Sequence, residues 1–323
     1  MSDHADRFLQ ALMAPYPADN ALRLEIRPLW PEWKLLELYP DDDAPWFWRS
    51  QTGMRNWHPL ERIENAAMHA VMAADERVDV YMGVLPRIGR KGGREDVPYA
   101  AWLWCDVDGG DEGPEGSISL LKRSGLPKPH MAVISGGGIH AYWRLPEVVE
   151  FGDTAGRDAF KELLKRLVLA VGGEKPGAHA DSTRADTASI LRVPETWNWK
   201  RQNEPRRVRL VRYALGQEAK TLTWWQANLP ALPVPPAPRT ERLQPGEVRE
   251  LPQKAIEILQ GSWPPGTRHH ALRDLLAIAR GMCAFDLAAL ELLAETFATR
   301  NSGRREWARM LARDTAKRIQ PHY

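Results

Sequence analysis

Cysteine is scarce. The chain has two in 323 residues, Cys105 and Cys283, and no CxxC. That argues against a disulfide scaffold and against a cysteine-rich zinc site, so no structural zinc is expected. Neither sign of charge dominates: 44 Lys and Arg stand against 42 Asp and Glu, a formal net charge of +2. No global field demands nucleic acid, although a small basic excess permits it. Long apolar runs are missing as well. The opening stretch, MSDHADRFLQALMAPYP, has no basic n-region and no apolar core. Neither a signal peptide nor a membrane anchor is expected, and the cytoplasm is the expected compartment. No internal repeat is visible.

What is present is a globular composition, 43% hydrophobic and 27% charged, in a chain long enough for one large or two ordinary domains. Fourteen tryptophans supply core and rim, with some suited to stacking against bases.

Patterning predicts mixed elements first and helices only afterwards. A short helix over Arg7–Met13 ends before Pro15 and Pro17. Leu22–Leu29 alternates as a strand, and DDDAP at Asp41–Pro45 reads as a turn among Trp30, Trp33, Trp46 and Trp48. A helix is expected over Leu60–Ala74, then a strand over Asp79–Leu85 and a basic, glycine-rich loop over Arg87–Asp96. Strands follow at Tyr99–Val107, Met131–Ile134 and Ile139–Leu145, the last two forming a hairpin around Gly136, Gly137 and Gly138. Asp158–Val171 is an amphipathic helix with Phe160, Leu163, Leu164, Leu167 and Val171 on one face. Short strands are expected at Ser189–Val193 and Arg207–Tyr213. Proline-rich LPALPVPPAPRTERLQPGE then reads as a stiff linker. Beyond it, Lys254–Leu259, His269–Met282, Asp286–Thr296 and Arg304–Arg318 read as helices. The expectation is an α+β domain over 1–228, a linker over 229–249 and a small all-helical domain over 250–323.

Three short stretches carry chemistry. YAAWLWCDVDGG ends an apolar strand on two acids one residue apart. Residues i and i+2 of a strand share a face, so Asp106 and Asp108 point together while Val107 points into the opposite layer. Paired carboxylates raise one another's pKa or recruit a hard cation such as Mg²⁺ or Mn²⁺. The plainer reading is a strand running into an acidic turn, DVDGGDEG. Next, SGGGIHAYWRL places His140, Tyr142 and Arg144 on one strand face. The glycines offer a tight turn or a nest of N–H groups for phosphate. An ordinary hairpin with a solvated face is the alternative. His140 is unattractive as a metal ligand, because no second histidine stands at ligand spacing. Finally, HADSTRADTASILRVPETWNWK holds Asp181 and Asp186, then Arg192, Asn198 and Lys200, with Trp197 and Trp199 interleaved. A third carboxylate would complete a metal site. Asp186 pairing with Arg184, or capping a helix, is the bland outcome.

Taken in order, these stretches resemble the three motifs of the archaeo-eukaryotic primase superfamily, in particular the primase-polymerases of plasmids, phages and other mobile elements. Asp106 and Asp108 match the acidic pair. Gly138, Ile139 and His140 match a small-x-His motif. Asp181 with Leu191, Arg192 and Pro194 matches an aspartate upstream of an apolar-Arg-x-Pro segment, and its spacing favours Asp181 over Asp186. ETWNWK has Glu195 where the family usually has glycine. The resemblance spans Tyr81–Lys200, including YMGVLPR, and more weakly reaches Tyr213. GTRHHALRDLLAIARGM looks like a helical primase C-terminal domain.

The resemblance implies a sheet of the RNA-recognition-motif kind with flanking helices. It implies metal-dependent nucleotidyl transfer by a DNA primase and polymerase on single-stranded DNA, with NTPs or dNTPs as substrates. Asp106, Asp108 and Asp181 would hold Mg²⁺ or Mn²⁺. His140 would contact the incoming triphosphate, with Ser135, Gly138, Tyr142, Arg144, Arg192 and Lys200 as further nucleotide-binding candidates. Arg87, Arg90, Lys91, Arg94, Arg268 and Arg273 are the weaker candidates for template. No GxxxxGK[ST] P-loop occurs, so a helicase, where needed, would be a separate chain. The rival readings are a metal-dependent nuclease or other nucleotidyltransferase with the same acidic pair, and a replication-initiator module that binds DNA without catalysis.

Overall fold

The computed structural model describes residues 3–19, 21–31, 33–34, 55–172, 179–233, 250–263, 268–283, 285–301 and 305–319. The Asp41–Pro45 turn, Trp46, Trp48 and most of the expected linker lie outside the described residues. The chain forms two compact units, Met1–Pro31 with Thr52–Pro233, and Glu32–Gln51 with Val234–Tyr323.

The first unit is α+β. One sheet has the order β2 (Asn56–Pro59), β1 (Leu22–Leu29), β3 (Asp79–Gly83), β9 (Ile190–Arg192), with β4 (Arg87–Ile88) also paired to β1. The other has the order β12 (Arg209–Tyr213), β6 (Met131–Ile134), β7 (Gly138–Glu150), β5 (Tyr99–Asp108), β8 (His179–Ala180). A two-stranded ribbon joins β10 (Trp197–Asn198) to β11 (Arg206–Arg207).

Strand β5 is the spine of the second sheet. Ala100 to Cys105 are all buried, which suits a strand covered on both faces and explains its unbroken apolar run. Helix α1 (Asp3–Met13) reaches it through the Leu12 carbonyl, which accepts from Trp102 Nε1 at 2.9 Å. The Tyr16 hydroxyl just beyond accepts from Ala101 N at 3.1 Å. The phenol of Tyr16 is buried whole and its pKa is pushed up accordingly. Helix α4 (Thr154–Val171) buries Phe160, Leu163, Leu164, Leu167, Val168 and Val171. Its N-cap is Asp153, whose Oδ1 accepts from Gly156 N at 2.9 Å, so the helix starts earlier than its apolar stripe.

Helix α2 (Ile63–Ala74) lies beside β1 and β2. His69 on α2 meets His58 on β2, with Nδ1 and Nε2 3.2 Å apart. Burial, then the neighbouring ring of His69, lowers the His58 pKa to about 4. The unfolded chain therefore takes up this proton first, near pH 6.5. Stability from this pair is present above pH 6.5 and is lost as pH falls toward 4. Thermal unfolding of a His58→Gln variant is expected to show a flatter pH profile than wild type over that window, and parallel profiles would refute it.

The second unit is all-helical: α6 (Gln253–Gln260), α7 (Arg268–Cys283), α8 (Leu287–Arg300) and α9 (Arg305–Arg318). Its core joins Leu272, Leu275 and Leu276 of α7 to Leu290, Ala294 and Phe297 of α8 and to Ala308 and Ala312 of α9. Among the described residues no helix is long and apolar enough to cross a membrane.

Candidate active site

Strand register brings distant parts of the sequence to one corner. Asp106 lies directly opposite His140, and Asp108 opposite Gly138. On the other edge of β5, Val107 pairs with Ala180. Asp181 follows immediately, and its amide donates to the Asp106 carbonyl at 2.8 Å. Directly opposed residues of an antiparallel pair share a face, and His140 Nε2 stands 3.6 Å from Asp106 Oδ1.

The hairpin before His140 is held from outside. Gly136 sits at φ +115°, where a Cβ would strike Asn198 Nδ2 at 2.4 Å. That same Nδ2 donates to the Ser135 carbonyl at 2.7 Å. Ser135 N donates to Gly138 O at 2.9 Å, so Ser135, itself buried, serves the turn through its backbone. The glycines thus permit a close approach and a positive φ.

The corner is electrostatically tense. Burial raises the Asp106 pKa to about 6; Arg184 and Arg192 oppose the rise, while Asp181 and Asp108 add to it. Burial lowers His140 to about 3, aided by Arg192 and Arg184, so its imidazole is neutral and its contact with Asp106 is polar rather than ionic. His140 is 2% exposed and its Nδ1 has no hydrogen-bond partner. Arg192 is fixed: its Nη2 is 3.6 Å from Asp79 Oδ1, and its guanidinium lies 5.0 Å from the Tyr81 ring centre.

Asp181 lies at this corner and Asp186 does not. Asp186 accepts from Lys161 Nζ at 2.7 Å and faces Arg94 Nε at 3.6 Å. Although burial works the other way, these cations hold its carboxyl below the usual range. It is not Arg184 that pairs with Asp186; Arg184 Nε faces Asp181 Oδ2 at 3.6 Å.

Several candidates lie elsewhere. Tyr142 is fully buried with its ring edge-on to Phe8, so it presents no face to a nucleotide. Arg144 is four residues beyond His140, about 13 Å along a strand. Its amide donates to His130 Nδ1 at 3.1 Å, away from the acids. Arg87 is buried whole, its Nη1 donating to the Leu85 carbonyl, which removes it as a template contact. Arg94 is paired to Asp158 and Asp186. Arg90 and Lys91 remain exposed. Arg268 and Arg273 belong to the helical unit, where Arg268 Nε donates to the Trp263 carbonyl at 2.8 Å and Arg273 faces Asp274.

Beside Asp108 opens a cleft of about 520 Å³, which Asp106, His140 and Asp181 do not line. Asp108, Asp111 and Glu112 line it together with Gly137, Asn198, Lys200, Arg201, Glu204 and Arg206. Lys200, a nucleotide-binding candidate from the sequence, lines this cleft. Arg201 and Arg206 were missed; the signal was the basic stretch RQNEPRR, which turns back as β11 and delivers Arg206 Nη1 to Gly136 O at 3.1 Å. Arg184 was also missed as a charge acting on Asp106.

Glu195 sits at φ +67°, a region that favours glycine. Arg207 Nη2 and His4 Nδ1 lie 3.0 and 3.4 Å from its carboxylate. Left-handed backbone at a non-glycine residue costs about 1 kcal/mol or more, and partly exposed ion pairs return about 0–1 kcal/mol. Glu195→Gly is therefore expected to hold or slightly raise the Tm. A fall of several degrees would show that the ion pairs dominate.

In kind, the donor set suits a hard divalent cation: three carboxylates, one of them raised in pKa partly by the other two. Asp108 Oδ1 accepts from Gly110 N at 2.8 Å, and Asp181 Oδ1 from Thr183 N and Oγ1. Among the described residues, no three His, Cys, Asp or Glu side chains converge on one liganding point.

No family model matches the sequence, and no curated protein matches it. Among solved structures, the fold is similar to the archaeo-eukaryotic primase domain of the primase-polymerase of cyanophage S-2L. The TM-score is 0.48 and the identity 17%, over 70% of this chain and 97% of that one. It is also similar to the catalytic domain of primase RepB′ solved with initiator DNA, at TM-score 0.41 and 14% identity over 69% and 90% of the two chains. A further structure of primase RepB′ aligns at TM-score 0.39 and 15% identity over 96% of this chain and 93% of that one. Likenesses of this size attach no activity to this chain.

Proposed function

We propose that the protein is a DNA-dependent primase-polymerase that makes, and extends, short primers on single-stranded DNA by nucleotidyl transfer. The observation that carries this reading is the register of β5. It brings Asp106, His140 and Asp181 together and sets Asp108 at a cleft that also holds Lys200, Arg201 and Arg206 beside Asp111, Glu112 and Glu204. Carboxylates with cations close by suit a reaction in which an alcohol attacks a triphosphate.

Asp106, Asp108 and Asp181 are the residues to hold Mg²⁺ or Mn²⁺, which when bound activates the attacking 3′-hydroxyl and stabilises charge on the phosphorus and on departing pyrophosphate. Neutral His140 offers an N–H to a phosphate oxygen. Arg192, braced by Asp79 and Tyr81, presents a fixed cation toward the same corner. Lys200, Arg201 and Arg206 bind the remaining phosphates or the template backbone. Exposed Arg90 and Lys91 are further template contacts, and Arg268 and Arg273 carry that role in the helical unit. A separately encoded helicase is the expected partner.

The test is synthesis on single-stranded DNA with no primer, in Mg²⁺ or Mn²⁺, with γ-labelled ATP or GTP and both nucleotide pools. Labelled short products that vanish in an Asp106→Ala, Asp108→Ala variant support priming. Extension of an annealed primer without initiation keeps the polymerase chemistry and discards priming. Strand shortening would favour a nuclease. Silence in every assay, with metal-independent DNA binding, would leave an initiator module.

A further inference from the structure

Two cations stand beside the carboxylates, and they are held differently. Arg192 is 15% exposed, faces Asp79 Oδ1 at 3.6 Å and lies over the Tyr81 ring. Arg184 is 39% exposed, and among the described residues its side chain faces Asp181 Oδ2 at 3.6 Å. Its backbone is firmly fixed: the Arg184 carbonyl accepts from Trp104 Nε1 at 2.9 Å and from Ser189 Oγ at 2.7 Å. A loosely held guanidinium on an anchored backbone can exchange partners without refolding its surroundings. Asp181, in turn, is occupied on both oxygens: Thr183 bonds Oδ1 at 2.8 and 2.7 Å, and Arg184 covers Oδ2. Beside this pair, buried His140 stands with Nε2 3.6 Å from Asp106 Oδ1, and among the described residues its Nδ1, on the other side of the ring, has no hydrogen-bond partner.

Resting on the nucleotidyl-transfer reading above, we propose that Arg184 is a positioning residue that latches Asp181 in the substrate-free protein. It leaves Asp181 for the phosphates of the incoming nucleotide. One guanidinium thereby serves two anions in turn. While it covers Asp181 it repels a divalent cation. Once drawn to a triphosphate it frees Oδ2 and adds a cation where phosphate charge accumulates. Cation and nucleotide binding are then coupled: each is weak alone and strengthened by the other.

The experiment is titration of the full chain with Mn²⁺, following the electron paramagnetic resonance of the free ion, without and with a 2′,3′-dideoxynucleoside triphosphate, each read against the same solution without protein because the triphosphate itself binds Mn²⁺. In wild type, the triphosphate is expected to tighten Mn²⁺ binding. Arg184→Gln is expected to bind Mn²⁺ alone about tenfold tighter, because one nearby positive charge is gone, and to lose most of the tightening by triphosphate. Arg184→Lys keeps the charge and should stay near wild type for Mn²⁺ alone. If Arg184→Gln fails to fold, Arg184→Ala gives the same comparison. Unchanged or weaker Mn²⁺ binding without nucleotide overturns the latch, as does intact coupling. Asp106→Asn separates this from the wider reading: if it leaves Mn²⁺ binding untouched, the carboxylate corner is not the cation site and the proposed function falls first.

Discussion

Asp106→Asn should abolish primer synthesis and at the same time raise the melting temperature. The two effects share one cause. Asp106 is a half-buried carboxylate, and Asp181 and Asp108 add their negative charge to the penalty of burial. Its pKa of about 6 against an ordinary value of 3.8 means that ionising it in the folded protein is disfavoured by up to about 3 kcal/mol. The sign is that of a raised carboxyl: the folded state holds the proton more tightly, so stability falls as pH rises from 4 through 6, and the full cost is felt above 6. An amide of the same shape removes it. Under the proposed function it also removes an oxygen ligand, and several kcal/mol of transition-state stabilisation lost corresponds to a fall of about 10³ or more in rate. Melting curves at pH 7.5 should place the variant above wild type without divalent cation. The gap should narrow as pH falls below 6, and Mn²⁺ should stabilise wild type alone. Full activity in the variant would remove Asp106 from the chemistry. A lower melting temperature would show that its contacts with Arg184 and Arg192 outweigh the cost of its burial.

Much of this corner was legible before any coordinates. The apolar run ending in DVD reads as a strand carrying two acids on one face, and β5 runs from Tyr99 to Asp108. The glycine hairpin also follows from sequence, with β6 and β7 paired on either side of it. So does the apolar face of α4, whose leucines recur at helical spacing. Strand parity was a poorer guide. It puts His140, Tyr142 and Arg144 on one face, but it says nothing of what covers that face along its length. Helix α1 lays Phe8 against Tyr142, so that ring offers no open face, although its buried hydroxyl feels the charge of Asp106. Helix α3 (Pro114–Arg123) was hidden because it buries little beyond Gly116, Ser117 and Leu120, too thin an apolar stripe to stand out from the acidic turn before it. Arg87 looked like a loop cation because its neighbours are glycine and lysine. Its burial comes from β4 pairing with β1 beside Glu25, a contact between segments far apart in sequence. The partners of Asp186 were invisible for the same reason: Lys161 and Arg94 come from elsewhere in the chain.

The site's dependence on close backbone packing makes Gly138→Ala a damaging substitution. Gly138 faces Asp108 across the ladder. A Cβ there would meet the Val107 carbonyl oxygen at 2.1 Å, with Val107 C and Asp108 Cα both at 3.0 Å. Every one of these atoms is backbone, so no rotamer change relieves the clash and the strands must part. Overpacking of this kind costs about 1–3 kcal/mol or more, and the displacement falls two residues from the Asp106–His140 pair. Loss of synthesis is therefore expected even though no polar side chain has been removed. Gly137→Ala is the matched control: no neighbouring atom lies within 4 Å of its added Cβ, so it should shift stability by no more than about 0.5 kcal/mol. Urea midpoints for the two variants, read beside their primer synthesis, decide the matter. If both behave as wild type, β5 and β7 do not approach as closely at Gly138 as described. If only Gly138→Ala loses stability and activity together, the chemistry depends on how tightly two strands close around one residue without a side chain.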